Sequence, residues 1–418
     1  MSRRLDLSRE SWMRAAGTRV VMKALSADGG TARFVGGAVR NALLGRKVDD
    51  IDIATPLLPD AVVRRLEACR IRAMPTGIGH GTVTAIADGR AFEVTTLRRD
   101  VETDGRHAVV AFSDSWAEDA ARRDFTMNAL YASEDGEVFD YTGGLEDLEA
   151  RRIRFVGDPV ARIREDYLRI LRLFRFHAWY GQGAMDEQAR AAARNEQAGL
   201  QNLSGERLQK ETLRLLEARN PLPSLRVMAN DHVLAHIIPA RTGTIRLDRI
   251  ERLVAIDNNR DVAADSILRL AALMPSDPDL ATTVAERLRL SNENRNRLLG
   301  LAGAQEEIAP AMPDAALRKL LYRLGKQHVR DSILLRWSED VDDAHDTGWE
   351  NLLDVTKDWE KPAFPLSGRD ILAAGVPEGP RVGAIYSKLE EIWFEGDFME
   401  DRPSLLQRLL ALAQSQTD

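Results

Sequence analysis

The spacing of apolar residues changes once along this chain, near residue 155. Before that point, short runs at 32–36, 51–55, 81–87, 91–97 and 138–141 have the texture of strands. Asp88-Gly89, between the third and fourth runs, is suited to a tight hairpin turn. Helical spacing fills 38–44, 59–69 and 120–130. Beyond residue 155 the three- and four-residue spacing takes over, at 167–176, 208–216, 263–273 and 315–324, with proline and glycine punctuation between. The pattern predicts an α+β protein: a small head with a mixed sheet and flanking helices, then an elongated all-helical remainder.

A length of 418 residues with 44% hydrophobic content is too much for one ordinary core, and two to four domains are expected. A single cysteine, Cys69, excludes an intrachain disulfide and any cysteine-built zinc site, so a reducing cytoplasm fits. The charged N-terminus lacks the apolar run of a signal peptide or membrane span. The net charge of −7 conceals a basic stretch: residues 151–176 hold eight arginines against three acids, a local +5. Such a segment is able to line an anion-binding groove on an acidic protein.

The most specific chemistry lies in Val35-Gly36-Gly37-Ala38-Val39-Arg40 and Asp50-Ile51-Asp52-Ile53. A glycine turn lets backbone approach phosphate oxygens, with Arg40 close behind. On a strand, Asp50 and Asp52 would share one face and the two isoleucines the other. Two carboxylates on a rigid edge suit a divalent metal. Neither a Rossmann G-x-G-x-x-G between strand and helix nor a P-loop G-x-x-x-x-G-K-[ST] is present. In the run 91–97, Glu93 falls on the face opposite Phe92 and Val94. A glutamate there, on a strand neighbouring Asp50 and Asp52, would complete a three-carboxylate cage for Mg2+, which prefers oxygen ligands. The charged stretch 98–112, around a single glycine, is expected to be a mobile loop.

The stretch 164–176 is expected to be one continuous helix. At helical spacing, Asp166 and Arg169 lie about 60° apart and their tips are able to meet one planar object, with Arg172 about 60° further round. Glu165, four residues before Arg169, would steady its guanidinium, and Arg175, on the far side, would do something else. A carboxylate acceptor beside a guanidinium donor matches the amino group and ring nitrogen shared by cytosine and adenine. Guanine and uracil would set a carbonyl oxygen against the carboxylate, and such a mismatch is strongly rejected.

Taken together, these residues resemble the class II tRNA nucleotidyltransferases, the CCA-adding enzymes, and the related bacterial poly(A) polymerases. The match runs in order through the glycine-aspartate motif, the loop 99–109, the motif Asp119-Ala120-Ala121-Arg122-Arg123-Asp124-Phe125-Thr126-Met127-Asn128, and Glu165-Asp166-Tyr167-Leu168-Arg169 with Arg172 and Arg175. It covers roughly 32–180, with a weaker similarity at 365–383. Where the family commonly has aspartate after Arg40, this chain has Asn41.

The resemblance implies a nucleotidyltransferase head at 1–150, a base-recognising neck at 151–220, a helical body at 221–330 and a tRNA-binding tail at 331–418. It implies transfer of C, C and A from CTP and ATP to the 3′ end of tRNA, with Mg2+ held by Asp50 and Asp52. Gly36, Gly37 and Arg40 would hold the triphosphate, with Arg122 or Arg123 beside them, and Asp124 and Asn128 would lie near the ribose. The alternatives are a poly(A) polymerase and a non-catalytic RNA-binding relative. The acid-rich tail argues against the first, and the presence of Asp50, Asp52, Asp166 and Arg169 against the second.

Overall fold

The computed structural model describes residues 6–77, 79, 81–104, 107–239, 245–304 and 306–414. The chain divides into two compact units, residues 1–239 with 286–289 and residues 240–285 with 290–418.

The first unit begins with helices α1 (Ser11–Arg14) and α2 (Ala16–Ser26), then β1 (Arg33–Val35), α3 (Gly37–Leu43), β2 (Ile51–Thr55) and α4 (Pro59–Ala68). Strands β3 (Arg72–Gly77), β4 (Thr82–Ala87), β5 (Arg90–Thr96), β6 (Arg98–Asp104) and β7 (His107–Phe112) follow. Next come α5 (Trp116–Ala121), β8 (Leu130–Ala132), β9 (Val138–Asp140), α6 (Gly144–Glu149), α7 (Pro159–Glu165), α8 (Leu168–Tyr180), α9 (Glu187–Glu196), α10 (Gly205–Leu216) and α11 (Leu222–Asn230).

Seven strands form one mixed sheet in the order β3-β4-β5-β2-β1-β8-β9. Its β2–β5 pair is parallel, and the remaining neighbours are antiparallel. Asp88 and Gly89 both have positive φ, 51° and 70°, as the two-residue hairpin between β4 and β5 requires. Ile51 and Ile53 of β2 are buried, as are Phe92 and Val94 of β5. Helix α4 starts with Pro59 in its first turn and buries Val62 and Leu66, spaced one helical turn apart. A separate cluster of Val35, Ala54, Leu97, Ala120, Ala129, Tyr131 and Val156 joins the sheet to α5.

Three sequence expectations fail here. The stretch 98–112 is a two-stranded β6–β7 pair rather than an open loop, with residues 105 and 106 outside the described residues. Its second half, Ala-Val-Val-Ala-Phe, has the strand preference that the charges around it obscured. The stretch 120–130 is not one helix: α5 ends at Ala121, a 3-10 turn spans Thr126–Asn128, and Leu130 begins β8. Lastly, 164–176 is interrupted at Asp166, whose extended backbone (φ −156°, ψ 103°) separates α7 from α8.

Helix α8 buries Ile170, Leu173, Phe174 and His177, a stripe at three- and four-residue spacing. His177 Nε2 donates to the Gly183 carbonyl at 3.2 Å, leaving Nδ1 to accept from the Ser224 hydroxyl of α11 at 2.9 Å. Burial lowers the pKa of this imidazole from its ordinary 6.5. The unfolded chain therefore binds the proton first, and this contribution to stability is present above about pH 6.5 and lost as pH falls below it. Thermal unfolding followed between pH of about 7.5 and about 5.5 should show a shallower decline for His177→Gln than for the parent chain.

The second unit is helical throughout its described residues, with helices that include Leu247–Asn259, Ser266–Leu273, Asn292–Ala302, Asp314–Leu324, Lys326–Glu339 and Asp346–Asp358. Arg269 and Asp257 form a buried ion pair at 2.8 Å, and Arg297 joins Asp265 (2.6 Å) to Asp331 (2.7 Å). Toward the C-terminus Leu366, Ile371, Ile385, Leu389, Trp393, Leu405 and Leu409 form a core of their own.

Candidate active site

Strand β2 is flanked by β1 and by β5, and its register sets Asp52 opposite Val35 on one side and Glu93 on the other. The glycine turn begins immediately after Val35. Gly36 adopts φ 67° and ψ −121°, a backbone conformation that side-chain-bearing residues rarely take, and it opens α3. A Cβ on Gly36 would lie 3.8 Å from Arg123 Nη1 and 3.7 Å from the Asn128 carbonyl oxygen. The turn, the central acidic strand and the arginine motif are thus neighbours.

Asp50 is exposed and precedes the first paired residue of β2, whereas Asp52 is half-buried within it and Glu93 is exposed. Burial, then the charges of Glu93 and Asp50, push the Asp52 carboxyl up to about 6 against the opposing pull of Arg123 and Arg40. Excess negative potential at an oxygen-only donor set fits a hard divalent cation. Glu93 lies beside Asp52 along the strands, but no group of three or more His, Cys, Asp or Glu side chains among the described residues is gathered closely enough to hold a metal ion.

The arginine motif is built around Asp119, which is 1% exposed. Its Oδ1 accepts from Arg122 Nε at 2.9 Å, and its Oδ2 accepts from Arg123 Nη2 at 2.8 Å and from the Tyr131 hydroxyl at 2.7 Å. Burial works to raise its pKa, but Arg123 and then Arg122, with the tyrosine hydrogen bond, bring it down to about 2. The backbone N–H of Arg98, at the base of the β6–β7 pair, also reaches Asp119 Oδ1, at 3.4 Å.

Asp124, Asn128 and Arg40 form a second, connected set. Asn128 Nδ2 donates to Asp124 Oδ1 at 3.0 Å, and Arg40 Nη1 donates to Asn128 Oδ1 at 2.6 Å. The guanidinium of Arg40, 7% exposed, also donates to Asn41 Oδ1 (2.9 Å) and to the Tyr180 hydroxyl (2.8 Å), whose ring it overlies at 4.1 Å. Asn41 thus fills the aspartate position of the motif as a neutral acceptor for Arg40. Against the effect of burial, Arg172 and Asn128 hold the Asp124 carboxyl down at about 2.

Along the interrupted helix, Arg169 Nη1 pairs with Glu165 Oε2 at 2.5 Å, the i,i+4 contact expected from the spacing, and donates to the Arg162 carbonyl at 2.8 Å. Asp166 ends α7 two residues before α8 begins; its Oδ1 accepts from the Leu168 N–H at 3.1 Å, while its Oδ2 pairs with Arg207 Nη2 of α10 at 2.7 Å. Arg172 Nε reaches back to Asp124 Oδ2 at 2.9 Å. Arg172 and Arg175 both contact Glu211 of α10. The helical arithmetic therefore serves for Glu165 and Arg169 but not for Asp166, which stands outside either helix. Residues 207, 211 and 180 carried no local signal, because their partners lie 41, 36 and 140 positions away.

Residues 32–154 match the family described as "Poly A polymerase head domain", and residues 184–242 the family described as "Probable RNA and SrmB- binding site of polymerase A". The mitochondrial CCA tRNA nucleotidyltransferase 1 of Homo sapiens is 33% identical over 387 residues, spanning 90% of this chain and 85% of that protein. The chain belongs to the CCA-adding tRNA nucleotidyltransferases. The CCA-adding enzyme of Levilactobacillus brevis is 30% identical over 394 residues, covering 93% of this chain and 96% of that one. Among solved CCA-adding enzymes, that of Bacillus stearothermophilus in complex with CTP superposes with a TM-score of 0.74 at 26% identity, covering 95% of this chain and 97% of that one. The Thermotoga maritima enzyme complexed with tRNA shares the fold, with a TM-score of 0.64 at 21% identity and 94% coverage of each. Enzymes of the CCA-adding family generally use divalent metals. No helix among the described residues of this CCA-adding family member is long and apolar enough to cross a membrane.

Proposed function

We propose that this chain adds C, C and A to the 3′ end of tRNA from CTP and ATP without a nucleic-acid template. In each step the tRNA 3′-hydroxyl gives up its proton to solvent as its oxygen forms a bond to the α-phosphorus, the bond from that phosphorus to the bridging oxygen breaks, and pyrophosphate leaves with the displaced electron pair. The observation that carries the reading is Asp52, raised in pKa on a central strand, next to the Gly36 turn and Arg123.

Asp50 and Asp52 are the residues that would hold Mg2+, with Glu93 adding negative potential beside them. When bound, the metal supplies Lewis-acid polarisation of the α-phosphate and lowers the pKa of the attacking hydroxyl. Gly36 and Gly37 offer backbone to the triphosphate, and Arg123, fixed by Asp119 and nearest to the Gly36 turn, supplies positive charge there, with Arg122 held on the same carboxylate. Arg40, expected from the sequence to hold the triphosphate, is 7% exposed and donates to Asn128, Asn41 and Tyr180, so we assign it instead to holding Asn128 and, through it, Asp124, the pair assigned to the ribose. Asp166 and Arg169 select the base. Arg172 and Arg175 brace that selection through Asp124 and Glu211. On this reading the head is 1–150, the neck 151–220, the body 221–330 and the tail 331–418, and the single cysteine suits a cytoplasmic protein.

The test supplies purified chain, Mg2+ and a tRNA lacking its 3′ end with each nucleotide separately and together. CTP should add two residues, ATP one more thereafter, and GTP and UTP none. Long A-tails on unrelated RNA would identify a poly(A) polymerase instead, and tRNA binding without transfer would sink the enzymatic reading.

A further inference from the structure

We infer that Arg207, on α10, is a positioning residue that sets nucleotide selectivity by fixing the Asp166 carboxylate. The inference rests on the base-selecting role proposed above for Asp166, and it adds a residue from outside the segment that carries the selecting side chains.

Asp166 lies between helices, so helical backbone does not set the direction of its side chain. Two contacts do so instead. The Leu168 N–H holds Oδ1 at 3.1 Å, and Arg207 Nη2 holds Oδ2 at 2.7 Å. A carboxylate oxygen accepts more than one hydrogen bond, so Oδ2 keeps capacity for a donor from a nucleobase while Arg207 remains attached. A single anchoring contact would leave the carboxyl group free to turn about its bond to Cβ. Two contacts, one on each oxygen, stop that rotation.

Fixity matters because rejection is harder to achieve than acceptance. A mobile carboxylate would still find the amino group of cytosine or adenine. Facing the carbonyl oxygen of uracil or guanine, it would rotate away and avoid the acceptor–acceptor repulsion on which exclusion depends. Arg207 therefore contributes more to refusing the wrong base than to binding the right one. The geometry of its helix supports the assignment. Arg207 and Glu211 are one turn apart on α10, and Glu211 holds Arg172 and Arg175 of α8. The side chain of Arg207 is 46% exposed, so its guanidinium is not needed to fill a core.

The experiment compares kcat/KM for CTP and UTP on a tRNA lacking its 3′ end, using the full chain and the variants Arg207→Ala, Arg207→Lys, Asp166→Ala and Arg207→Ala/Asp166→Ala. Arg207→Ala should lower the preference for CTP over UTP by about tenfold or more, chiefly by raising the use of UTP. Arg207→Lys should recover part of it. In the Asp166→Ala background, removing Arg207 should leave the ratio unchanged, because its target is gone. A purely structural role would slow both nucleotides equally and leave the ratio intact, which would overturn the inference, as would an equal further drop in the double variant. Failure of the parent chain to use CTP at all would refute the proposed function and is read separately from these ratios.

Discussion

Asp52→Asn is expected to reduce nucleotide transfer by about a thousandfold or more, while tRNA affinity changes by less than about twofold. The substitution keeps the size of the side chain, the β1–β2–β5 register and the buried isoleucines on either side. What it removes is one anionic ligand, and the metal contribution to stabilising charge in phosphoryl transfer is several kcal/mol. Single-turnover transfer with saturating CTP and Mg2+, measured beside tRNA binding by filter retention, separates the two effects. Near-normal turnover would eliminate Asp52 as a metal ligand. Equal losses in turnover and binding would show damage to the fold rather than to the chemistry.

Asp119→Asn is expected to cost about 3 kcal/mol of stability and to raise KM for CTP and ATP by about tenfold. The carboxylate at this position neutralises Arg122 and Arg123 together and receives the Tyr131 hydroxyl, and the asparagine would remove the hydrogen-bonded anionic partner that both guanidinium groups share. The side chains of Arg122 and Arg123 retain 15% and 19% exposure, so water moderates the loss, and the expected cost sits at the lower end of the range for broken buried pairs. Urea denaturation monitored by circular dichroism, alongside steady-state kinetics, tests both parts. The wild-type contribution should also fade in acid. Since Arg123 and Arg122 hold Asp119 down at about 2 in the folded protein, its stabilisation is present above the ordinary carboxylate value and is lost as pH falls toward that number. An unchanged urea midpoint in the variant would refute the keystone role of Asp119.

The sheet of the head was legible in the sequence where local chemistry was sufficient. The runs at β2, β4 and β5 alternate or carry β-branched residues, and Asp88-Gly89 announces its own turn. Helix α4 declared itself through the spacing of Val62 and Leu66 and the proline at its start. Strand β3, with Pro75 inside it, and the three-residue β8 gave too little pattern to detect. The β6–β7 pair was hidden because its charges looked like those of a loop. Nor did spacing betray the interruption at Asp166, since residues 164–176 have good helical periodicity on both sides of it. The candidate site divides along the same line. Gly36, Asp50, Asp52, Asp124 and Asp166 stood out in motifs, and Asp119 lay in one without an assigned task. Arg207, Glu211 and Tyr180 depend on contacts that tertiary folding creates, and no window of sequence contains both partners.

Asp166 and Arg207 are far apart in the order of synthesis. Chains emerge from the ribosome N-terminus first, so Asp52, Glu93 and Asp119 are available to fold before α10 has left the exit tunnel. A polypeptide arrested or cleaved ahead of Gly205 would retain the acidic strand and the arginine motif, yet Asp166 would lack the partner on its Oδ2. On the role proposed for Arg207, the group that fixes base choice is made later in synthesis than the groups proposed to hold the metal and the triphosphate.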